Sequence, residues 1–295
     1  MSNTRGRMPI AYILYGTSLF LLLFLVFFPY KRTAENLIAY FGRKTGIGLA
    51  YKDLSYLFPF GCRFDHVEIQ VPYEGARYSI YKGEALDLRL SLLSLVRKTM
   101  DVRFLGKGYG GETSGEVSLP VPVKPESGRY HLQVKDLRVE EVLDPLYMRN
   151  FKIRGMLTGE AEVQFQDKDY YTSGTGMLVA ALSHGSVRNI LVKGITLPDF
   201  DFQTMQADVK LQGGKLRIEN FLLESDILAA KIQGEITINP VDLRNSSLNL
   251  SARLRPMEND PVNLHGVAAY FNRTLDREGY YPFELRGTFG FPELQ

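Results

Sequence analysis

The chain has 295 residues, with 35 Lys and Arg, 33 Asp and Glu, one Cys and no Trp. A hydrophobic content of 45% and a charged content of 23% exclude wholesale disorder. The single cysteine, Cys62, excludes an intramolecular disulfide framework and a cysteine-rich metal site. Residues 1–33 hold four basic side chains and no acidic one, which leaves 31 basic against 33 acidic side chains in the rest. This nearly neutral body lacks the basic surface with which proteins bind nucleic acid.

The first predicted element is an apolar segment without charge between Met8 and Tyr30. Its densest part, residues 10–28, would span about 30 Å as a helix, which is the hydrocarbon thickness of a bilayer. A cleaved signal peptide is the alternative, but the apolar run is longer than usual and no small-residue cleavage site follows it. We therefore predict a single transmembrane anchor within residues 1–32, in contact with the lipid bilayer. Its membrane-facing side chains are Ile10, Leu14, Leu19, Phe20, Leu21, Leu22, Phe24, Val26 and Phe28.

A membrane-proximal helix is predicted within residues 33–50, with Thr33 as its N-cap. Leu37, Ile38 and Phe41 share one face of this helix. That face would lie in the membrane interface or plug the end of the following sheet. Both flanks of the anchor carry two basic side chains, so charge alone does not set its orientation. We expect the large body to lie outside the cytoplasm.

From residue 51 the chain changes to an alternation of apolar and polar residues, which predicts strands of an antiparallel sheet. The alternation is clearest at residues 86–92, 160–165, 205–212, 228–238 and 248–254. Short helices are expected at residues 92–97, 139–147, 187–192 and 262–271. Residues 51–295 are therefore predicted to form one mainly β domain. The proline-rich segment at 120–125 is expected to be a crossing loop within one sheet, or a sub-boundary near residues 120–128.

Glycine patterns indicate turns and not nucleotide binding. Four segments of the type Gly-x-apolar-x-apolar begin at Gly115, Gly159, Gly234 and Gly287, and we expect these glycines at strand starts. Residues 106–111 match the letters of a dinucleotide-binding loop, but a strand and not a helix follows them. That segment is therefore predicted to be a turn between strands.

No catalytic, metal or cofactor site is predicted. The four histidines lie in separate segments, and no nucleophile elbow or phosphate-binding loop is present. Asp199 and Asp201 would share one strand face, but without a third ligand they are expected to be solvated acids. Cys62 has the surroundings of a small buried residue and not of a nucleophile.

The most prominent feature of the sequence is a set of apolar strand faces with few helices to cover them. Such a sheet must close as a barrel, pack as a sandwich, or leave an apolar groove. A groove joined to a membrane anchor would hold acyl chains or dock a partner strand. The candidate groove residues are Leu86, Leu88, Leu90, Val209, Leu211, Ile232, Ile236 and Leu250.

A family resemblance is carried by residues 211–240, LQGGKLRIENFLLESDILAAKIQGEITINP, and by SSLNLSARLRP at 246–256. These segments resemble the C-terminal part of the type II secretion system protein N (GspN) family. Residues 51–69, 86–95 and 287–292 resemble other strands of that family. The same patterns are similar to those of AsmA-like envelope proteins.

The resemblance implies a bacterial inner-membrane protein with one span and a periplasmic domain. It implies a long, twisted, mostly antiparallel sheet, as an AsmA-like groove or an open barrel or sandwich, with a few short helices. The expected function is a non-enzymatic accessory role in type II protein secretion, through contacts with other secretion-system subunits. The alternative is lipid binding or lipid transport through an apolar groove, with phospholipid acyl chains as the ligand. A third hypothesis, an envelope hydrolase, is disfavoured because the required nucleophile and metal arrangements are absent from the sequence.

Overall fold

The computed structural model describes residues 12, 15–16, 18–20, 23, 29–73, 76–122, 127–143, 152–166, 173–188, 191–192, 195–196, 199–239, 242, 245–257 and 264–294. Within these residues the protein is mainly β, and its strands form one long antiparallel sheet that does not close. The predicted fold class is confirmed at this level. Among the described strands, the first and the last of the sheet do not pair with each other.

Strands dominate the chain, and helices are short apart from the first. The strands are β1 Gly48–Ala50, β2 Asp53–Leu57, β3 Gly61–Tyr73, β4 Ala76–Ser91, β5 Thr99–Gly108, β6 Gly111–Pro120, β7 Gly128–Arg138, β8 Lys152–Phe165, β9 Thr175–Arg188, β10 Leu191–Val192, β11 Ile195–Thr196, β12 Phe200–Gln212, β13 Lys215–Ser225, β14 Leu228–Thr237, β15 Ser247–Pro256, β16 Tyr281–Thr288 and β17 Pro292–Leu294. The helices are α1 Tyr30–Thr45, α2 Leu92–Val96, α3 Val139–Leu143 and α4 Leu264–Tyr270.

The sheet is a meander in which successive strands are neighbours. Its order is β1-β3-β4-β5-β6-β7-β8-β9-β12-β13-β14-β15-β16-β17, and β2 also pairs with β3. β1 and β2 occupy the same edge of β3, because β1 pairs with residues 68–70 and β2 with residues 61–65. β10 and β11 form a separate two-stranded hairpin. β6 and β7 pair directly, so the segment around residues 120–128 connects two neighbouring strands of the same sheet.

The membrane-proximal helix is longer than predicted. α1 begins at Tyr30 and not at Thr33, and the Thr33 hydroxyl donates a hydrogen bond of 3.1 Å to the carbonyl oxygen of Pro29. Thr33 therefore lies inside the helix and bonds back to the preceding turn. Ala34 and Ile38 pack against a cluster of buried side chains on the first strands of the sheet. This contact supports the expectation that the helix covers the end of the sheet.

The helix predicted at residues 187–192 is wrong, because β9 extends to Arg188. Val187 pairs with Ile153 on one side and with Phe200 on the other, so two ladders hold it in the sheet. The helices predicted at 92–97 and 262–271 are confirmed as α2 and α4. α3 corresponds to the first part of the helix predicted at 139–147. The turn at 106–111 is also confirmed: Gly108 pairs with Gly111 across a two-residue hairpin.

Most of the predicted anchor lies outside the described residues. Leu19 and Phe20 are helical, whereas Ile10, Leu14, Leu21, Leu22, Phe24, Val26 and Phe28 are outside the part of the chain that the structure describes. In that described part, no helix combines the length and the apolar character needed to cross a membrane.

Residues 264–280, between β15 and β16, pack against both faces of the last strands of the sheet. Ala268 of α4 is fully buried in a cluster with Ala252 and Phe283 on one face. On the opposite face, the Tyr280 ring lies beneath the cationic groups of Lys231, Arg253 and Arg255. These contacts hold the last strands of the sheet in place.

The four repeated glycines lie inside strands and not at strand starts, which corrects the prediction. A Cβ added to Gly115 would approach Phe104 Cζ to 2.6 Å and would clash with the carbonyl oxygen of His131. The Phe104 ring therefore lies over the glycine and fills the space of the missing side chain. At Gly159, Gly234 and Gly287 an added Cβ would instead meet a backbone carbonyl oxygen of the neighbouring segment, at 2.8 Å for Gly159 and 2.5 Å for Gly287.

Replacing Gly115 with Val should lower the free energy of unfolding by about 2–3 kcal/mol, because the new side chain overpacks against Phe104 and the β7 backbone. Urea unfolding of the full chain in mild detergent, followed by circular dichroism, measures this change. Gln133→Val is the matched control, since Gln133 is exposed on β7 and valine suits strands. Equal stability of the two variants would contradict the role of Gly115.

Candidate functional site: an apolar lane across the sheet

One row of apolar residues and glycines crosses the sheet from β2 to β17. Residues directly opposite each other in an antiparallel ladder share a face, so the pairing registers trace the row from strand to strand. In sheet order the row is Tyr56, Cys62, Leu88, Phe104, Gly115, Leu132, Ala161, Leu178, Val209, Ile218, Gly234, Leu250, Leu285 and Leu294. No charged residue interrupts it.

A second row runs beside the first, two residues along each strand. It consists of Leu90, Val102, Val117, Tyr130, Val163, Gly176, Leu211, Leu216, Ile236, Leu248, Gly287 and Pro292. We call the two rows together the apolar lane. At about 4.8 Å between neighbouring strands, the lane is about 60 Å long.

The opposite face of the sheet is charged. The row between the two rows of the lane, but on the other face, is Arg89, Arg103, Glu116, His131, Glu162, Met177, Lys210, Arg217, Glu235, Asn249, Arg286 and Glu293. Ion pairs join neighbouring strands on this face, such as Arg103 with Glu116 at 2.9 Å and Lys210 with Glu219 at 2.7 Å. Such exposed pairs add little stability, but they identify the face that water covers.

The apolar face of the sheet is buried along one border of the lane, and it is exposed to solvent in the middle of the lane. Along β9, the exposed fraction is 41% at Leu178 in the lane and 6% at Leu182, four residues further on. Leu182 belongs to a buried cluster with Leu223, Ala230 and Val139 of α3. The short helices thus cover one border of the apolar face, whereas the lane at β7–β9 remains accessible, with Leu132 also exposed.

All eight candidate groove residues lie on this apolar face. Leu88, Val209 and Leu250 are in the first row of the lane, and Leu90, Leu211 and Ile236 are in the second. Leu86 and Ile232 lie in the next row towards the buried border. The ladder therefore brings together side chains that are more than 160 residues apart in sequence.

The exposed central residues Leu132 and Leu178 were missed by the sequence analysis. The segment from Met177 to Ala181 is apolar at every position, so alternation does not show which side chains share a face. Leu132 does alternate with Val134, a signal that would have identified it.

A cavity of about 260 Å³ lies where the lane begins, between the start of α1 and strands β2 to β5. Its lining includes Ala34 of α1 and the lane residues Tyr56, Cys62, Leu88 and Leu90. The Tyr30 ring stacks on Tyr56 with centroids 4.0 Å apart. The first end of the lane is thus a pocket beneath the helix.

Cys62 is the only cysteine of the chain and lies in this pocket as a free thiol. Burial, aided by the negative charge of Asp87, raises the pKa of Cys62 to about 11. The side chain is therefore a neutral thiol at physiological pH and part of the apolar surface.

The paired acids and the histidines form no site within the described residues. Arg188 lies 3.8 Å from a carboxylate oxygen of Asp199 and 2.5 Å from one of Asp201, so both acids take part in ion pairs. Among the described residues, no group of three or more His, Cys, Asp or Glu side chains is arranged to hold a metal ion.

Comparison of the chain with protein-family profiles, with curated proteins and with solved structures gives no match.

The raised pKa of Cys62 predicts how the thiol reacts with iodoacetamide. Because the thiolate is the minor species, the alkylation rate should rise about tenfold per pH unit between about pH 7 and pH 10. Mass spectrometry of timed samples measures the rate, and the urea-unfolded chain serves as the control. A plateau near pH 9 in the folded protein would show that the pocket does not exclude water from the thiol.

Proposed function

We propose that this protein is a non-enzymatic, membrane-anchored component of the bacterial cell envelope, whose apolar lane binds the acyl chains of phospholipids. The observation that carries the proposal is the lane itself. It crosses the whole sheet without a charged side chain, and part of it is accessible. Contiguous exposed apolar surface on a folded protein marks a site of interaction.

Hydrocarbon chains fit the lane better than a strand of another protein does. The backbone groups of the sheet are already paired in the ladders, and the side chains of the lane offer almost no hydrogen bonds. A bound strand would leave its own polar groups unpaired against this face, whereas an acyl chain has none. The lane is about 60 Å long and one bilayer leaflet about 15 Å thick, so several chains fit end to end.

The proposed membrane context follows from the chain order. We place the anchor within residues 1–32 in the inner membrane and the sheet in the periplasm, as in an AsmA-like groove protein. The position of α1 supports this arrangement, because the helix begins at Tyr30, directly after the apolar segment, and packs over the first end of the lane. In this arrangement, the pocket beneath α1 is the part of the lane nearest to the membrane.

Leu178→Asp should abolish lipid binding in the middle of the lane, whereas Val179→Asp should not. The two residues are neighbours with exposed fractions of 41% and 44%, but they lie on opposite faces of β9. A carboxylate in the lane opposes hydrocarbon contact, because an ionised group is strongly disfavoured in an apolar environment. Phospholipid per chain, extracted from the detergent-purified full chain and quantified by mass spectrometry, is the readout.

We expect the wild type and Val179→Asp to retain equal amounts of phospholipid and Leu178→Asp to lose most of it. Circular dichroism checks that both variants fold. Equal phospholipid content in the two variants, or none in the wild type, would reject acyl-chain binding by the lane.

A second candidate function is an accessory role in type II protein secretion, through contacts with other subunits. It is favoured by the open end of the sheet. β17 pairs with β16 only at residues 285–287, so among the described strands the outer edge of β16 at residues 281–284 has no strand partner. A strand of another subunit could extend the sheet there.

The secretion role predicts that assembly depends on the anchor. Replacing residues 10–28 with a cleavable signal should release a folded domain and abolish its copurification with secretion-machinery subunits. The matched variant carries an unrelated transmembrane helix in place of residues 10–28 and should retain assembly. Copurification of the released domain at the wild-type level would count against this role.

A further inference from the structure

Three large apolar side chains are strongly exposed at one corner of the sheet. Phe58, in the turn between β2 and β3, is 72% exposed, and Leu93 and Val96 of α2 are 81% and 84% exposed. The two segments are neighbours, because the backbone N–H of Leu90 donates a hydrogen bond of 2.8 Å to the carbonyl oxygen of Phe60. We call Phe58, Leu93 and Val96 the corner patch. Its side chains add nothing to the buried cluster nearby.

Two basic residues follow the corner patch in the chain. Arg97 and Lys98 directly follow α2, and both are exposed. The turn at 57–60 and the segment at 92–98 contain no acidic residue. Apolar side chains next to basic ones are the pattern with which protein surfaces enter an anionic membrane interface.

The chain itself enters the sheet at this corner. The Tyr30 ring stacks on Tyr56, two residues before Phe58. Tyr30 also lies two residues after position 28, where the predicted apolar anchor ends. Two residues extend at most about 7 Å, so a membrane anchored there brings its surface to the corner patch.

We infer that the corner patch docks on the bilayer surface, with Phe58, Leu93 and Val96 in the acyl–headgroup boundary and Arg97 and Lys98 against anionic headgroups. The first end of the apolar lane, at Tyr56 and Cys62, then opens at the membrane surface. This inference rests on the membrane anchor of the proposed function and goes beyond it, since docking of the patch does not require lipid in the lane.

Site-specific fluorescence tests the docking in the full chain. Leu93→Cys is labelled with an environment-sensitive nitrobenzoxadiazole dye and reconstituted in vesicles of equimolar phosphatidylcholine and phosphatidylglycerol that contain a nitroxide-labelled lipid. Leu275→Cys is the matched control, because Leu275 is 50% exposed in the segment between α4 and β16. Labelling the unmodified chain measures any contribution from Cys62.

We expect blue-shifted emission and strong nitroxide quenching at position 93, and neither at position 275. Equal quenching at the two positions, or water-like emission at position 93, would overturn the inference. A blue shift at position 93 without quenching would also overturn it, because it would indicate that another protein surface covers the patch.

The basic side chains are tested by Arg97→Glu combined with Lys98→Glu. Each basic side chain lost should lower the ratio of docked to undocked protein about fivefold on anionic vesicles, and charge reversal should lower it further. Vesicles of phosphatidylcholine alone should show no such difference. The matched control reverses Lys210 and Lys215 on the polar face, where both side chains are 54% exposed. Equal losses in both variants would reject headgroup binding at the corner.

Lipid binding by the lane and membrane docking by the corner patch can be tested independently of each other. Leu178→Asp should lose lane lipid but keep the quenching at position 93, because it lies far along the sheet from the corner. The variant that combines Arg97→Glu with Lys98→Glu should keep its lane lipid but lose the quenching. Loss of both properties in either variant would contradict independent docking of the corner patch.

Discussion

The register of the antiparallel ladders is the constraint on which the rest of this structure depends. Side chains alternate between the two faces of a strand, so a slip of one residue in any ladder would exchange its apolar and charged faces. In this sheet every ladder of the main path keeps apolar residues opposite apolar residues or glycine along the lane. The charged row on the other face keeps the same register. One continuous apolar surface results from this repeated local rule.

An open sheet with such a surface has to protect it from water. The helices α1, α3 and α4 do so at the ends and along one border, where residues such as Phe64, Leu182 and Phe283 are buried. No described element covers Leu132 and Leu178 in the middle of the lane. Exposed apolar area costs about 25 cal/mol per Å², and contiguous exposed apolar surface is typical of interaction sites. The proposed acyl chains would supply that cover without needing hydrogen bonds.

The sequence predicted the class of fold, and the candidate groove residues lie on one face because strands with regular alternation show their faces directly. The groove residues from Leu86 to Leu90 and from Val209 to Leu250 come from such strands. Strand β9 could not be assigned in this way, since it is apolar on both faces around Leu178. The glycines were misplaced for a different reason. Their role depends on atoms of neighbouring segments, such as the Phe104 ring over Gly115, and a single segment contains no information about them.

The most direct test of the account is a photo-crosslinking scan along β9 in intact cells. Benzoylphenylalanine is placed in turn at Met177, Leu178, Val179 and Ala180, and the full chain is analysed for covalent lipid adducts by mass spectrometry. Because side chains alternate between the faces, lipid adducts should form at 178 and 180 but not at 177 and 179. Adducts at all four positions, at none, or only at 177 and 179 would contradict a lipid-binding apolar face.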